Sequence, residues 1–467
     1  MNEQSKLATF WSYLTTARVF LVNLIFLGIL LFLLTFILSA IFSGSQKEDP
    51  SGKTLEFNPK GPIVEQIASS SPDPLDFLLY GNVPQAERAR DVLEMFEALS
   101  KDKRIETVLL RLDNIGGTGQ TVLYDIGKAL QKVKDSGKRI IAVSDYFQES
   151  SYYLASYADE IILNPNGGVY IDGYHRSRLY YKSFIEKTKV TINLFRVGKY
   201  KSAMEPYIRD SMSEADKEAA LTYMNDLWGS WKSVVAKNRN LDIDQIQNYP
   251  DSFDSLYEQE KGNGSQVALK IGLVDNLLNR VETREYLRKI IGENDEEELL
   301  KISSSNYLET IRSEKDKNKS KNKIAVIIAS GTILDGYQPA GMIGGDSTAN
   351  LIREAHEDED TKAIVLRVDS GGGSAFASEV IREELELAKT KGIKILASMG
   401  NVAASGGYWI SAAANEIWAS HDTITGSIGI FGFLPTIDKT LEEIGVSSDT
   451  VGTTKLTSPD PFEELNS

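Results

Sequence analysis

The chain has 467 residues, no cysteine and three histidines, His175, His356 and His421. That length predicts two or three domains, each able to bury its own core. The absence of cysteine excludes disulfides, thiolate nucleophiles and Cys-based metal sites without assigning a compartment, and three histidines all but exclude a His-rich metal centre. With 51 basic against 66 acidic residues, a net of −15, the chain repels phosphate backbones, so nucleic acid is not an expected partner.

The first element in chain order is an uncharged run from Val19 to Phe42. As a helix rising about 1.5 Å per residue it spans roughly 36 Å, enough for a hydrocarbon core with some tilt. A cleaved signal peptide has a shorter apolar region and a small-x-small site after it. Leu38-Ser39-Ala40 is a poor site of that kind and Ser43-Gly44-Ser45 a weak alternative, so an uncleaved anchor is expected. Lys6 and Arg18 precede the run, and no basic excess follows it. The positive-inside bias then places a cytoplasmic tail at 1–18, a transmembrane helix at 19–42 and everything beyond outside the cytoplasm. A polar tether is expected over 43–56.

The remainder contains two segments that resemble each other at an offset of 256 residues. Val108-Leu109-Leu110-Arg111-Leu112-Asp113-Asn114-Ile115-Gly116-Gly117 matches Ile364-Val365-Leu366-Arg367-Val368-Asp369-Ser370-Gly371-Gly372-Gly373. Both are apolar, strand-like runs ending in Asp and a glycine turn. A helical segment follows each, stops at Gly137 or Gly392, and gives way to a second strand, Ile140 to Ser144 or Ile393 to Ser398. Tyr152-Tyr153-Leu154 with Ala158 to Ile161 then matches Tyr408-Trp409-Ile410 with Ala414 to Ile417. Strands alternating with helices at this spacing predict an α/β fold of two tandem βαβ repeats with mainly parallel sheets. The first repeat is placed at 57–302, a charged linker at 303–323 and the second repeat at 324–467. The first copy continues for about 100 residues past the matched block, through a helical stretch from Ser213 to Lys237, whereas the second stops soon after it. Either the second copy lost its tail or the chain is an incomplete version of a longer protein; incompleteness is the favoured reading.

Two turns in the second copy carry chemistry. Asp369-Ser370-Gly371-Gly372-Gly373-Ser374 joins a strand to a helix over Phe376 to Lys391. Glycines there expose N–H groups beside a positive helix end, which suits a phosphate or an oxyanion, although a tight turn alone would explain them. No Gly-Lys-Ser/Thr follows, so this is not a P-loop. Val402-Ala403-Ala404-Ser405-Gly406-Gly407-Tyr408-Trp409-Ile410 follows the next strand. Small residues on both sides of one serine allow a crowded turn with the hydroxyl exposed and the Gly406 N–H free for an oxyanion, although an N-cap serine is the simpler reading of Ser405 alone. The two turns, at the C-terminal ends of successive strands, can face one cleft. His421-Asp422 suggests Ser-His-Asp chemistry but fits a loop histidine better.

Three segments in this order resemble the core motifs of the signal peptide peptidase A (protease IV) family: Asp369 to Ser374, Ala403 to Tyr408, and Thr425-Gly426-Ser427-Ile428-Gly429-Ile430. The resemblance covers nearly everything after residue 57, and the anchor fits it; Gly371 departs from it, standing where the family usually has proline. It implies a Clp protease/crotonase-like fold and a serine endopeptidase with a Ser–Lys dyad and no cofactor. The implied nucleophile is Ser405. The implied oxyanion donors are the N–H groups of Gly373 (or Gly372) and Gly406. In long, duplicated members the base comes from the other repeat, in a segment matching Gly198-Lys199-Tyr200-Lys201-Ser202-Ala203, which points to Lys201. Lys455, in Val451-Gly452-Thr453-Thr454-Lys455 of the second copy, is the rival base. A lysine is a poor base while charged, with an ordinary pKa of about 10.4, and a dry, apolar cleft is what would neutralise it. At Ser405's position the first copy has Glu149, although a one-residue slip would bring Ser150 there, and the small-residue setting is lost; with the resemblance this implies that one copy keeps the serine and the other supplies the base.

The resemblance further implies cleaved signal peptides and other short hydrophobic peptides as substrates, a location in the bacterial inner membrane with the catalytic part on the periplasmic or extracytoplasmic side, and a homo-oligomer, by resemblance a tetramer. Two other readings stay open: a non-catalytic membrane scaffold that retains the fold, and a crotonase-type acyl-CoA enzyme using the glycine turn as its oxyanion hole.

Overall fold

A computed structural model of the chain describes residues 3–42, 48–68, 86–315, 320–454 and 460–465. The chain divides into two units, Met1–Asp49 and Pro50–Ser467.

The first unit is one helix, α1 (Glu3–Phe42), longer than the uncharged run because it continues back through Arg18. Its stretch Phe10–Thr35 is, among the described residues, the one helix long and apolar enough to cross a membrane. The threonine hydroxyls in that stretch bond back to the preceding turn: Thr15 to the Trp11 carbonyl at 2.8 Å, Thr16 to Ser12 at 2.9 Å and Thr35 to Phe32 at 2.9 Å. None of these groups therefore needs an outside partner in an apolar medium.

The second unit holds two parallel sheets. The first begins at β1 (Thr54–Phe57), followed by α2 (Ala89–Leu99), β2 (Thr107–Arg111), α3 (Gln120–Asp135), β3 (Arg139–Gln148), α4 (Glu149–Ala155) and β4 (Glu160–Tyr170). Then come β5 (Thr191–Arg196), the long α5 (Glu214–Arg239), β6 (Asn276–Leu277), α6 (Arg280–Ile291) and β7 (Lys301–Ser303). The strand order is β6-β4-β3-β2-β1-β7, with every pairing parallel. Val108, Leu109 and Leu110 of β2 are all buried, as expected of a strand covered on both faces. One face packs on α2 through the spacing Val92, Met95, Phe96 and Leu99. The other packs on α6 through Leu287 and Ile291 against Leu109, Ile141 and Ile162.

Part of the stretch expected as a linker is helical. Ser303 caps α7 (Ser304–Glu314), accepting from the Asn306 N–H at 3.2 Å. Tyr307 and Ile311, one turn apart, are buried in the first sheet's core; the charges that suggested a linker include Arg312, which pairs with Asp91 and Glu94.

The second sheet is built from β8 (Lys323–Ser330), α8 (Gly345–Glu357), β9 (Thr361–Ser370), α9 (Ala375–Thr390), β10 (Lys394–Ala404), α10 (Gly406–Ser411), β11 (Glu416–Trp418) and β12 (Ile424–Gly426). Its order is β8-β9-β10-β11, with β12 pairing to the far end of β10, all parallel. The 256-residue offset holds in the strand register. Tyr146, Phe147 and Gln148 pair with Gly168, Val169 and Tyr170, and Val402, Ala403 and Ala404 pair with Ile424, Thr425 and Gly426. Glu149 and Ser405 therefore stand at equivalent positions.

A last strand, β13 (Phe431–Thr436), leaves the second sheet and pairs antiparallel with β5, Phe431 opposite Arg196 through Thr436 opposite Thr191. This ribbon joins segments about 240 residues apart and delivers the loop after β5 to the end of β10.

Candidate active site

Strand β10 ends at Ala404 and α10 begins at Gly406, so Ser405 alone makes the turn. It does so at φ 52° and ψ −118°, a conformation that costs a non-glycine residue about 1–3 kcal/mol. The surroundings hold it there. The Ser405 N–H donates to the Gly426 carbonyl at 2.8 Å, and its own carbonyl accepts from the Trp409 N–H at 3.0 Å. The small neighbours are a steric requirement: a Cβ on Gly406 would come 2.6 Å from Ser378 Oγ, and one on Gly407 2.5 Å from the Ser370 carbonyl oxygen. Ser405 makes no capping bond to α10; its hydroxyl points elsewhere.

The hydroxyl meets Lys201. Nζ lies 2.9 Å from Ser405 Oγ, 2.7 Å from the Ser427 carbonyl oxygen and 3.3 Å from Ser427 Oγ. Lys201 is buried, and burial pushes its pKa below the ordinary lysine value. It forms no ion pair with any carboxylate among the described residues. A neutral amine has two N–H groups and one lone pair. The two oxygens of Ser427 can take both N–H groups, which leaves the lone pair for the Ser405 proton. Close backbone approach makes this possible: a Cβ on Gly429 would sit 2.3 Å from the Val197 carbonyl oxygen, and the Val197 N–H donates to the Ile430 carbonyl at 3.0 Å.

The glycine turn after β9 abuts the serine. A Cβ on Gly372 would come 2.5 Å from the Gly406 nitrogen and 2.7 Å from Ser405 Cβ. The Gly372 N–H is already engaged, donating to Ser370 Oγ at 3.1 Å. The N–H groups of Gly373 and Gly406 donate to no acceptor among the described residues, so between the two sequence alternatives Gly373 is the one with a donor to offer. At Gly371 an added Cβ meets nothing within 4 Å and φ is outside the left-handed region, so the turn does not depend on glycine there.

Asn401, which the sequence reading passed over, ties the site to the first sheet. Its Oδ1 accepts from the Thr121 hydroxyl at 2.6 Å and the Thr121 N–H at 3.1 Å, and its Nδ2 donates to Asp369 Oδ2 at 3.0 Å. Asp369 also accepts from the Val402 N–H at 2.9 Å. Ser427, named in the third motif, was given no role there; a hydroxyl among the glycines Gly426 and Gly429 was the available signal, and both glycines take positive φ. His421 is exposed, with Nδ1 3.6 Å from Asp422, and the Ser405 hydroxyl is bonded to Lys201. Lys455 lies outside the described residues. Glu149, at Ser405's position in the first sheet, has a carboxyl pushed up to about 7 by burial and by the Asp172 carboxyl, against the lowering effect of the Asp172 N–H that it accepts at 2.6 Å. Its turn has no positive φ and no lysine partner among the described residues.

The model of peptidase family S49 matches residues 132–288 and 387–464. The chain is 37% identical to Protease 4 of Haemophilus influenzae over 97% of its length, covering 74% of that protein. It is 38% identical to Protease 4 of Salmonella typhi over 96%, covering 72%. It is 28% identical to the chloroplastic serine protease SPPA of Arabidopsis thaliana over 86%, covering 56%. The chain therefore belongs to peptidase family S49, the serine proteases of the protease IV, or signal peptide peptidase A, type.

Proposed function

We propose that Ser405 is the nucleophile and Lys201 the general base of a membrane-anchored endopeptidase that degrades short hydrophobic peptides, chiefly signal peptides already released from exported proteins. The observation that carries this reading is the 2.9 Å approach of a buried, carboxylate-free lysine to a serine hydroxyl on a strained turn. Neutral Lys201 takes the Ser405 proton as Oγ attacks the scissile carbonyl carbon. The carbonyl oxygen, now negative, receives the N–H groups of Gly373 and Gly406. The Lys201 ammonium then gives its proton to the leaving amine, the acyl-enzyme forms, and water activated by the same lysine releases the second product. No metal or cofactor has a part in these steps.

Family and anchor together support the substrate class. The helix α1 supplies an apolar segment long enough to span a bilayer, which would keep the cleft at the surface where released signal peptides remain. We take residues 1–18 as cytoplasmic, 19–42 as the span in a bacterial inner membrane, and the part after the tether, with its repeats at 57–302 and 324–467, as extracytoplasmic. Assembly into a homo-oligomer belongs to the same proposal.

The test is hydrolysis of synthetic peptides by the full chain in detergent. Apolar signal-peptide cores should be cut and charged peptides of equal length spared, and Ser405→Ala should abolish cutting. Undiminished cleavage by Ser405→Ala would sink the dyad, and an inert unmodified chain would favour a scaffold.

A further inference from the structure

The loop carrying Lys201 is clamped to the N-terminus of α5. Ser202, the residue after Lys201, donates its hydroxyl to Asp216 Oδ1 at 2.6 Å. Asp216 is only 2% exposed, and Arg176 grips both its carboxylate oxygens at 2.8 and 2.7 Å. Arg178 stands 3.6 Å from the same carboxylate and donates to the carbonyls of Ser202 at 3.4 Å and Ala203 at 3.0 Å. On the other side Arg196 donates to the carbonyl of Lys201 itself at 3.4 Å and lies 3.7 Å from buried Glu205. Glu205 in turn accepts from the N–H and hydroxyl of Ser213 at 3.0 and 2.7 Å. Each carbonyl from Lys201 to Ala203 is thus held by an arginine, and each arginine faces a buried carboxylate.

Helix stability alone does not explain Asp216. The cap of α5 is Ser213, whose hydroxyl accepts from the Asp216 N–H. The Asp216 side chain is directed outward to the lysine loop. Burying a carboxylate is costly unless its oxygens are bonded, and here the bonds go to the residue beside the base and to an arginine.

We propose that Asp216 is a positioning residue for Lys201: through Ser202 and the Arg176–Arg178 pair it sets where Nζ stands relative to Ser405 Oγ. This rests on the reading of Lys201 as the base. Asp216 touches no reacting atom, so its removal should act on catalysis through geometry and charge. A misplacement of about 1 Å costs on the order of 100-fold in rate. Its negative charge also favours the Lys201 ammonium, so removing the charge should let the lysine lose its proton at lower pH.

The experiment measures kcat and KM against pH for the full chain and for Lys201→Ala, Asp216→Ala and Asp216→Asn, with thermal unfolding of each. Asp216→Ala should lose about 100-fold in kcat with KM within about threefold. Asp216→Asn, which keeps an acceptor for Ser202, should recover most of that loss on the plateau while the acid limb of kcat/KM moves to lower pH. If Asp216→Ala does not fold, Asp216→Asn decides by its acid limb. Unchanged kcat and acid limb in Asp216→Ala, beside an inactive Lys201→Ala, would overturn the inference and leave the dyad standing. Equal losses in both Asp216 variants with an unmoved limb would also overturn it, as a purely structural effect. A fully active Lys201→Ala would overturn the dyad and this inference together.

Discussion

Lys201 and Ser405 are 204 positions apart in the chain, yet their reactive atoms stand 2.9 Å apart. The antiparallel ribbon of β5 and β13 closes that distance. A buried lysine with no carboxylate beside it sets a definite pH dependence. Burial lowers its pKa, and only the neutral form is a base. Activity should therefore rise with pH and level off below the ordinary lysine range of about 10.4. A kcat/KM profile measured between pH 5 and 11 gives the midpoint; one at or above 10.4 would show that the amine is not desolvated.

The same burial bears on stability. A lysine whose folded pKa is depressed destabilises the fold below that pKa, and the penalty fades as pH rises to the unfolded value. Lys201→Met should raise the midpoint of thermal unfolding at pH 7 and below, and its advantage should shrink by pH 10. A midpoint lower than that of the unmodified chain at pH 7 would mean that the bonds to Ser427 outweigh burial of the charge.

The strained turn separates activity from stability at one residue. Glycine adopts the Ser405 backbone angles without strain, whereas alanine does not. Ser405→Gly should be more stable than Ser405→Ala by about 1 kcal/mol, and neither should cleave peptide. Chemical denaturation of the two variants in parallel reads the difference directly.

Neighbouring glycines should respond in opposite ways. Gly371 has open space and an ordinary φ, so Gly371→Ala should stabilise by about 0.4–1 kcal/mol and keep activity. Gly372 has φ 96° and no room, so Gly372→Ala should push the Gly406 amide away and lose at least about 100-fold in kcat. Rate and unfolding measurements on the pair suffice.

Much of this architecture was legible in the residues. The two β-runs, each ending in Asp and a glycine turn, gave parallel sheets because both are apolar; β2 is covered on both faces, whereas along β9 buried residues alternate with half-buried ones. The offset of 256 carried through to the hydrogen-bond register. Ser405 stood out because its neighbours are Ala and Gly, and the clashes that a Cβ would make at Gly406 and Gly407 explain why. Lys201 did not stand out; nothing local separates it from the other lysines, and only the family resemblance pointed there. The pairing of β5 with β13, about 240 residues away, has no sequence signature, since an edge ribbon is set by what it packs on. α7 was hidden by its charges, with Tyr307, Leu308 and Ile311 as the apolar clue.

The bond network of Asn401 predicts a coupling across the two sheets. Asn401→Ala removes the acceptor of Thr121 and one donor to half-buried Asp369, and should cost about 1–3 kcal/mol. Thr121→Ala should cost less, and the double variant should cost less than the sum of the two. Strict additivity in a double-mutant cycle would mean that the two residues do not interact in solution.

The most direct test of the dyad is reaction of the full chain with a serine-directed phosphonate, followed by mass mapping of the adduct in the unmodified chain and in Lys201→Ala. The geometry requires labelling at Ser405 alone, and a Lys201→Ala chain that reacts far more slowly at neutral pH. Labelling at another serine, or an undiminished rate at Ser405 without Lys201, would contradict it.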